Sequence, residues 1–490
     1  MRRRWLFADQ LGPHHLDAPD QPVLLVESRA VLRRRRFHRA KAHLLLSGVR
    51  HLAAELGDQA LFLQVDTYGE ALAQVDEPLD VVQPTSYAAD RFVRERGIPV
   101  LPPRGYVTTR EDFAAWASGR RGRLLMEDFY RWQRTRLGVL VDGVEPVGGR
   151  WNLDHDNREP PPKRPTLGVP DPWLAEEDEI DAQVREDLDR MERDGQASFV
   201  GEDRPRWAAV TRTEAVAALE RFVGHRLPHF GPVEDAMLAA DPWMAHSALS
   251  PALNLGLLDP LECVQAAERA YRSGAAPLNS VEGYVRQVLG WREYVWSVYW
   301  HVPPDYRQRN ALQATSDVPE WFRTLDAADE VTARCLSSVL RDLRERGWVH
   351  HIPRLMVLGN YALQRGWDPE QVTAWFHEVF LDGYDWVMLP NVTGMSQHAD
   401  GGMMTTKPYA AGGAYINRMS DYCRGCAYDP AVRVGERACP YTAGYWAFLD
   451  RNADRLAGNR RMRQPLAGLS RLRDREELVA QERERGDAPP

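Results

Sequence analysis

Three of the chain's five cysteines, Cys423, Cys426 and Cys439, follow one another as C-x2-C-x12-C in a polar stretch punctuated by Gly425, Pro430, Gly435 and Pro440. Thiolates so spaced in a loop bind soft metals, and they need a fourth donor to close a tetrahedral zinc site or to hold an iron–sulfur cubane. Two cysteines remain to supply it, Cys263 in "LECVQAAERA" and Cys335 in "TARCLSSVL", both in helical text. Spacing alone does not choose the metal, and ordinary buried thiols are the competing reading. A second set of reactive groups is the pair His350 and His351, which opens the segment "HHIPRLMVLGNYAL". Histidine titrates near neutral pH and can act as a general acid, although a lone histidine is more often a core or cap residue. Ser247 and Ser250 precede an apolar helix, where a hydroxyl serves either as a cap or as a donor to a phosphate.

The elements that must position these residues fall into two halves. "RWLFADQL", "PVLLVES", "ALFLQVD" and "PLDVVQPTS" are apolar runs of strand length. Helical patterns separate them, as in "HRAKAHLLLSGVRHLAAELGD", whose Leu44, Leu45, Val49 and Leu52 share one face. Strands alternating with helices predict a Rossmann-like α/β domain with a parallel sheet over residues 1–137. Residues 138–205 are Pro-rich without a period, then acidic, and read as a connection laid over the surface. Residues 206–478 read as all-helical, with Thr, Ser or Asp at several helix starts and Arg-Gly at the stops of "RDLRERG" and "ALQRG". The tail 479–490 reads as frayed.

Composition narrows the function classes. Of 490 residues, 44% are hydrophobic and 27% charged, so a large core is available. No apolar run reaches the roughly 18 residues that a membrane helix needs, and the apolar start of "MRRRWLFADQLGPHH" is broken by Asp9, unlike a signal peptide. With so few cysteines, the expectation is a cytoplasmic protein in a reducing compartment, not a disulfide scaffold. The net charge of −8 gives no global bias toward nucleic acid, yet "LRRRRFHRAKAH" and "GNRRMRQPLAGLSRLR" are basic and "LAEEDEIDAQVREDLDRMERDG" is acidic. Each such run, taken alone, reads as a solvated face.

Longer motifs carry a resemblance. "HSALSPALNLGLLDP" (246–260) looks like a flavin-phosphate segment, "GWREYVW" (290–296) resembles a Trp-Arg-Glu motif, and "HIPRLMVLGNYAL" with "LDGYDWVMLPNV" resembles the Arg-Met helix and the Asp…Asn loop beside an isoalloxazine ring. Together with "FGPVEDAM", "NVTGMSQHADGG", "TKPYAAGGAYINRMSDYCRGC", "ACPYTAGYWAFL", "WNLDHDNR" and "DQL", these are similar to the iron–sulfur bacterial branch of the photolyase/cryptochrome superfamily, the prokaryotic (6-4) photolyases. The likeness runs over nearly the whole chain. It implies a photolyase/cryptochrome fold, an α/β antenna domain followed by an all-helical FAD domain. In that branch one cysteine lies 88 residues before the triplet; counting back from Cys423 reaches Cys335. The resemblance thus assigns Cys335, Cys423, Cys426 and Cys439 to a [4Fe–4S] cluster and leaves Cys263 as a small buried hydrophobe.

By the same pattern Ser247, Leu249 and Ser250 would serve the FAD phosphates, Arg354 would pair with Asp382 beside the flavin, and Asn391 would face the ring's N5. Asp385 is the competing carboxylate, and Glu293 is expected at the Trp-Arg-Glu motif or simply paired with Arg292. Reversing a (6-4) photoproduct needs an electron and a proton together, so His351 is expected as donor and His350 as its positioning partner, with Tyr409 and Tyr415 as lesion-pocket aromatics. Most of the sixteen tryptophans are expected in the core; Trp375 is the best candidate for an electron relay, and Phe376 beside it, which does not oxidise readily, leaves the outer steps open. Asp9, Gln10 and Glu27, at strand ends, are candidates to hold an antenna chromophore, 6,7-dimethyl-8-ribityllumazine by family habit. The expectation is a monomer that binds UV-damaged DNA and no membrane, and repairs (6-4) lesions with light. The alternatives are a blue-light photoreceptor of the same branch that signals through FAD redox state, and a cluster-bearing nucleic-acid-binding protein with a relict flavin pocket.

Overall fold

The computed structural model describes residues 2–120 and 123–490. Four of the apolar runs form the strands β1 (Arg3–Leu6), β2 (Val23–Ser28), β3 (Ala60–Val65) and β4 (Leu79–Val82), and the two-residue Val100–Leu101 adds β5. All pair in parallel in the order β3-β2-β1-β4-β5, with Arg4 opposite Val23 and Trp5 opposite Val81. β2 is buried along its whole length, as a strand covered on both faces must be. Sequence direction across the sheet reverses between β1 and β4, so the chain segments that leave these two strands border one crevice.

The rest of the chain is mostly helical. Thr211 with Glu214 and Asp259 with Glu262 close capping boxes at the starts of Arg212–His225 and Pro260–Arg272, each cap contributing about 1 kcal/mol. Arg334–Arg346 and Asn360–Arg365 stop at Gly347 and Gly366, whose φ of +61° and +72° suit glycine. Three stretches widen to π-helical turns: Arg286–Arg292, Pro353–Gly359 and Leu389–Ser396. The latter two begin at or beside a proline, which lacks the N–H that an α-turn would use. Among the described residues no helix is long and apolar enough to cross a membrane.

The two halves share one core. Leu6, Leu11, Leu25 and Leu44 belong to the same cluster as Leu249, Leu255, Trp296 and Trp386. Polar ties cross the same boundary: Leu11 N–H donates to Leu255 O at 2.9 Å and His38 N–H to Glu378 O at 3.0 Å. Glu293 accepts from the Val107 and Thr108 N–H groups at 2.9 and 3.0 Å, so its main work is to hold the α/β half, with Arg292 only grazing it at 3.4 Å.

Two segments are more built than the sequence suggests. Within 138–205, the helix Glu179–Arg193 buries Val184 and Leu188 against Leu32, Phe37 and Leu46. The tail 479–490, expected to fray, continues the helix Arg475–Arg485 and is docked. Its Glu482 accepts from Arg365 at 2.8 Å, and Ala333 N–H donates to the Pro490 carbonyl at 2.9 Å. The tail's Arg and Glu residues look like solvent-facing text; one of them is consumed by a cation on another helix.

Candidate active site

Cys335, Cys423, Cys426 and Cys439 line one pocket, closed otherwise by apolar and aromatic side chains that include Ile416, Tyr422 and Tyr441. Cys335 comes from the first turn of Arg334–Arg346, Cys439 caps Pro440–Arg451, and the other two sit in the loop before it. Burial pushes the Cys335 thiol well up, and the neighbouring Cys439, Cys423 and Cys426 push it further; Cys423 is raised to about 12 for the same two reasons. A bound cation would reverse that effect on Cys335 and Cys423, and an all-thiol set suits a soft one. Gly413 belongs to the cradle, since a Cβ there would lie 2.8 Å from Cys439 Sγ. Cys263 is elsewhere, fully buried in the other core beside Tyr284.

Asp382 is the hub of the second site. Arg354 donates to its two oxygens at 2.8 and 3.0 Å, Ser250 Oγ donates at 2.6 Å, and Trp348 Nε1 donates to Ser250 Oγ at 3.3 Å. Ser250 is therefore bonded to the carboxylate and is not a helix cap. Arg354 lies in the Pro353–Gly359 π-stretch, stacks over Phe380 at 4.2 Å and donates its Nε to Val349 O at 2.6 Å. Asn391 occupies the third position of the other wide turn, Leu389–Ser396, and is half-buried. Asp385 is not in this pair; it accepts from Tyr299 at 2.8 Å and Arg307 at 2.5 Å. Upstream of Ser250 the backbone turns left at Ala248, φ +56°, and right at Leu249, an alternation that aims successive N–H groups to one side as an anion site does. Ser247 Oγ accepts weakly from Leu249 N–H at 3.4 Å. Trp375 is buried and is separated from Arg354 by Phe380, 6.3 Å away ring to ring.

Three imidazoles meet beside this hub. His246 stacks on His350 at 4.2 Å, nearly parallel, and meets His351 in a T-shaped arrangement at 5.4 Å. His246 and His350 are buried, and burial drives both well below the usual histidine range, with the neighbouring imidazoles adding to it. His351 differs: its side chain is 41% exposed and its Nε2 lies 3.5 Å from Asp235 Oδ1. Tyr409 and Tyr415 feel the charges of Asp235 and Arg158, so the aromatic pair borders the same surroundings as His351; burial raises both phenols. His246, Asp235 and Trp348 are absent from the sequence-derived site. His246 stands at the head of "HSALSP", and only its meeting with the His350 helix gives it a place here.

In the β1–β4 crevice the three antenna candidates part ways. Gln10 is used up on Phe7 N–H and the Val82 and Gln83 carbonyls, and Glu27 receives Arg50 at 2.9 Å through both oxygens. Asp9 is half-buried: one of its oxygens accepts from Thr85, and the other is shielded from solvent and has no partner among the described residues. Burial raises it to about 6.

A family model of deoxyribodipyrimidine photo-lyase-related proteins matches residues 4–199. A (6-4) photolyase of Agrobacterium fabrum is 40% identical over 494 aligned residues, 95% of either chain. A bacterial class III photolyase structure from Agrobacterium tumefaciens superposes with a TM-score of 0.57 at 16% identity, over 93% of this chain and 97% of that one. A Synechocystis cryptochrome superposes with a TM-score of 0.52 at 14% identity, over 80% of this chain and 82% of the other, and these two likenesses speak for the fold alone. The near full-length identity goes further: the chain belongs to the photolyase/cryptochrome superfamily, in the family of the bacterial (6-4) photolyases.

Proposed function

We propose that this protein reverses (6-4) pyrimidine–pyrimidone photoproducts in DNA with light, with His351 as the proton donor. The observation that carries the reading is the division among the three imidazoles: two are buried and held neutral, and one, His351, opens to solvent beside Asp235. A neutral His350 fixed by stacking on His246 is a firm partner for a donor that must reach a flipped-out base. Tyr409 and Tyr415 supply aromatic faces for such a base. Asp235, 3.5 Å from His351 Nε2, is placed to orient the imidazole.

Ser247 and the turned backbone at Ala248–Leu249 would bind the FAD pyrophosphate, Ser250 would steady Asp382, and Arg354, Asp382 and Asn391 would orient the ring. FAD, once bound and reduced, supplies the light-driven electron. Cys335, Cys423, Cys426 and Cys439 would hold a [4Fe–4S] cluster, which fits an all-thiol donor set free of carboxylates; its work would be to fasten the 423–439 loop to the helix Arg334–Arg346. Asp9, with one buried oxygen free, fits a polar ring chromophore in the antenna position. The expected setting is cytoplasmic.

The deciding experiment is illumination of a duplex holding one defined (6-4) lesion, with wild-type protein and His351→Ala. Repair should fall by about 10²-fold or more in the variant, the scale of a lost general acid, while flavin content and photoreduction stay unchanged. Wild-type protein that leaves the lesion untouched would point to a photoreceptor. Equal repair by both would remove His351 from the mechanism.

A further inference from the structure

We infer that the basic segment Arg460–Arg473 is a phosphate-binding rail, part of a nucleic-acid face that continues from the Tyr409 loop. It rests on the proposed action on DNA and names the surface that would carry the strand.

The two basic runs of the sequence are used differently. In the first, Arg33 pairs with Asp66 at 3.0 Å, Arg35 with Glu378 at 3.5 Å and Arg36 with Glu320 at 2.8 Å. In the second, Arg460, Arg461, Arg463, Arg471 and Arg473 are all exposed, and none has a carboxylate within ion-pair reach among the described residues. Of the acids near it in sequence, Asp450 is taken by Arg475 at 2.6 Å and Asp474 by Arg433 at 2.8 Å, while Asp454, Glu476 and Glu477 are exposed and pair with none of these five arginines among the described residues. Five unpaired guanidinium groups on a chain of net charge −8 are a local reversal of sign.

The platform beneath them is ordered. Leu456, Met462 and Leu469 are buried in a cluster with Leu363, Phe448 and Leu449. Asn459 caps Arg461 N–H at 3.0 Å and donates to Thr406 O at 3.0 Å, which ties the segment to the loop of exposed Lys407 and of Tyr409. Ala410, next to Tyr409, packs on the same cluster. The cations therefore start where the aromatic pocket ends. Guanidinium forks match phosphate oxygens in pairs, and unpaired ones need break no ion pair to do so. A protein partner would want an apolar anchor at the centre, and no exposed large hydrophobic residue lies in this segment.

The test is fluorescence anisotropy of the flavin-loaded full chain on a duplex with or without one (6-4) lesion, across a sodium chloride series. Arg460→Ala/Arg461→Ala/Arg463→Ala should flatten the slope of log affinity against log salt by two to three, since each phosphate contact carries about 0.9. At 0.1 M salt the loss should be about 10²-fold on both duplexes, with their ratio, the flavin content and the photoreduction rate unchanged. The charge-matched control Arg33→Ala/Arg35→Ala/Arg36→Ala should keep the wild-type slope. A slope unaltered in the first triple variant, or equally altered in the control, overturns the inference. So does displacement of the duplex by polyglutamate at equal charge concentration, which would assign the face to an acidic protein. Wild-type binding with a steep slope but no repair would leave the rail standing and remove the repair reading.

Discussion

Asp382→Asn keeps the shape of a side chain that is 6% exposed and removes its charge. The carboxylate accepts two bonds from Arg354 and one from Ser250. An amide accepts through one oxygen only, so at least one guanidinium N–H is left facing an NH2 donor. Removing one partner of a buried ion pair costs about 3–5 kcal/mol. Arg354 is 18% exposed and keeps its bond to the Val349 carbonyl, so a cost of about 2–3 kcal/mol is expected, with water meeting part of the lost charge. The pair can be isolated by a double-mutant cycle with Arg354→Met, read by urea unfolding of flavin-free protein. The double variant should be less destabilised than the sum of the singles by at least about 1.5 kcal/mol, because the second change removes the charge that the first stranded. Additivity within about 0.5 kcal/mol would mean that the two groups do not sense each other, and the hub would be a crowding of side chains with no electrostatic role.

Three further outcomes test the other sites. Cys335→Ser should lose its iron and sulfide while Cys263→Ala keeps both, and Gly413→Ala should lower iron occupancy by crowding Cys439 Sγ; zinc without iron in fresh protein would refute the cluster assignment. Asp9 has a folded value of about 6 against 3.8 unfolded, so the stability its neutral form brings is complete below 3.8 and lost as pH rises through 6; Asp9→Asn should be neutral near pH 3.5 and stabilise antenna-free protein by about 3 kcal/mol above pH 6 in melts across that range. Trp375→Phe should slow flavin photoreduction by blue light at least about tenfold, a rise of about 1.4 kcal/mol in effective barrier, and an unchanged rate would return the ring to the core.

Much of the scaffold is legible in the sequence because its signals are local. The apolar runs at Val23–Ser28 and Leu79–Val82 are strands, and Gly347 and Gly366 end helices as their left-handed φ allows. β5 is missed because two residues carry no alternation to read. The wide turns at Pro353–Gly359 and Leu389–Ser396 are also invisible, since a 3.6-residue period is assumed throughout a helix; Arg354 and Asn391 sit within them. Partners distant in the chain are the harder part. Nothing near Glu293 announces that Val107 and Thr108 will donate to it, nor near Glu482 that Arg365 will. The choice between Asp382 and Asp385 likewise falls to geometry: the first meets Arg354, the second Arg307.

The Asp382 hub is held from both halves of the molecule, and Lys41 shows how. It comes from the helix Arg39–Leu56 of the α/β half, is fully buried, and donates to the carbonyls of His377 and Gly383 at 2.5 and 2.6 Å. Those carbonyls flank the turn that carries Asp382. Burial lowers the ammonium to about 7, and Asp382 is the leading charge that resists the fall. A carbonyl pair alone is a poor home for a buried cation, so the arrangement is stable because the carboxylate lies just beyond it. The dependence runs both ways. Undocking the α/β half would strip the turn of its clamp and leave Asp382 with one cation where two now act. The α/β half thus supplies a charge to the Asp382 hub through Lys41, so its docking is part of what builds the hub.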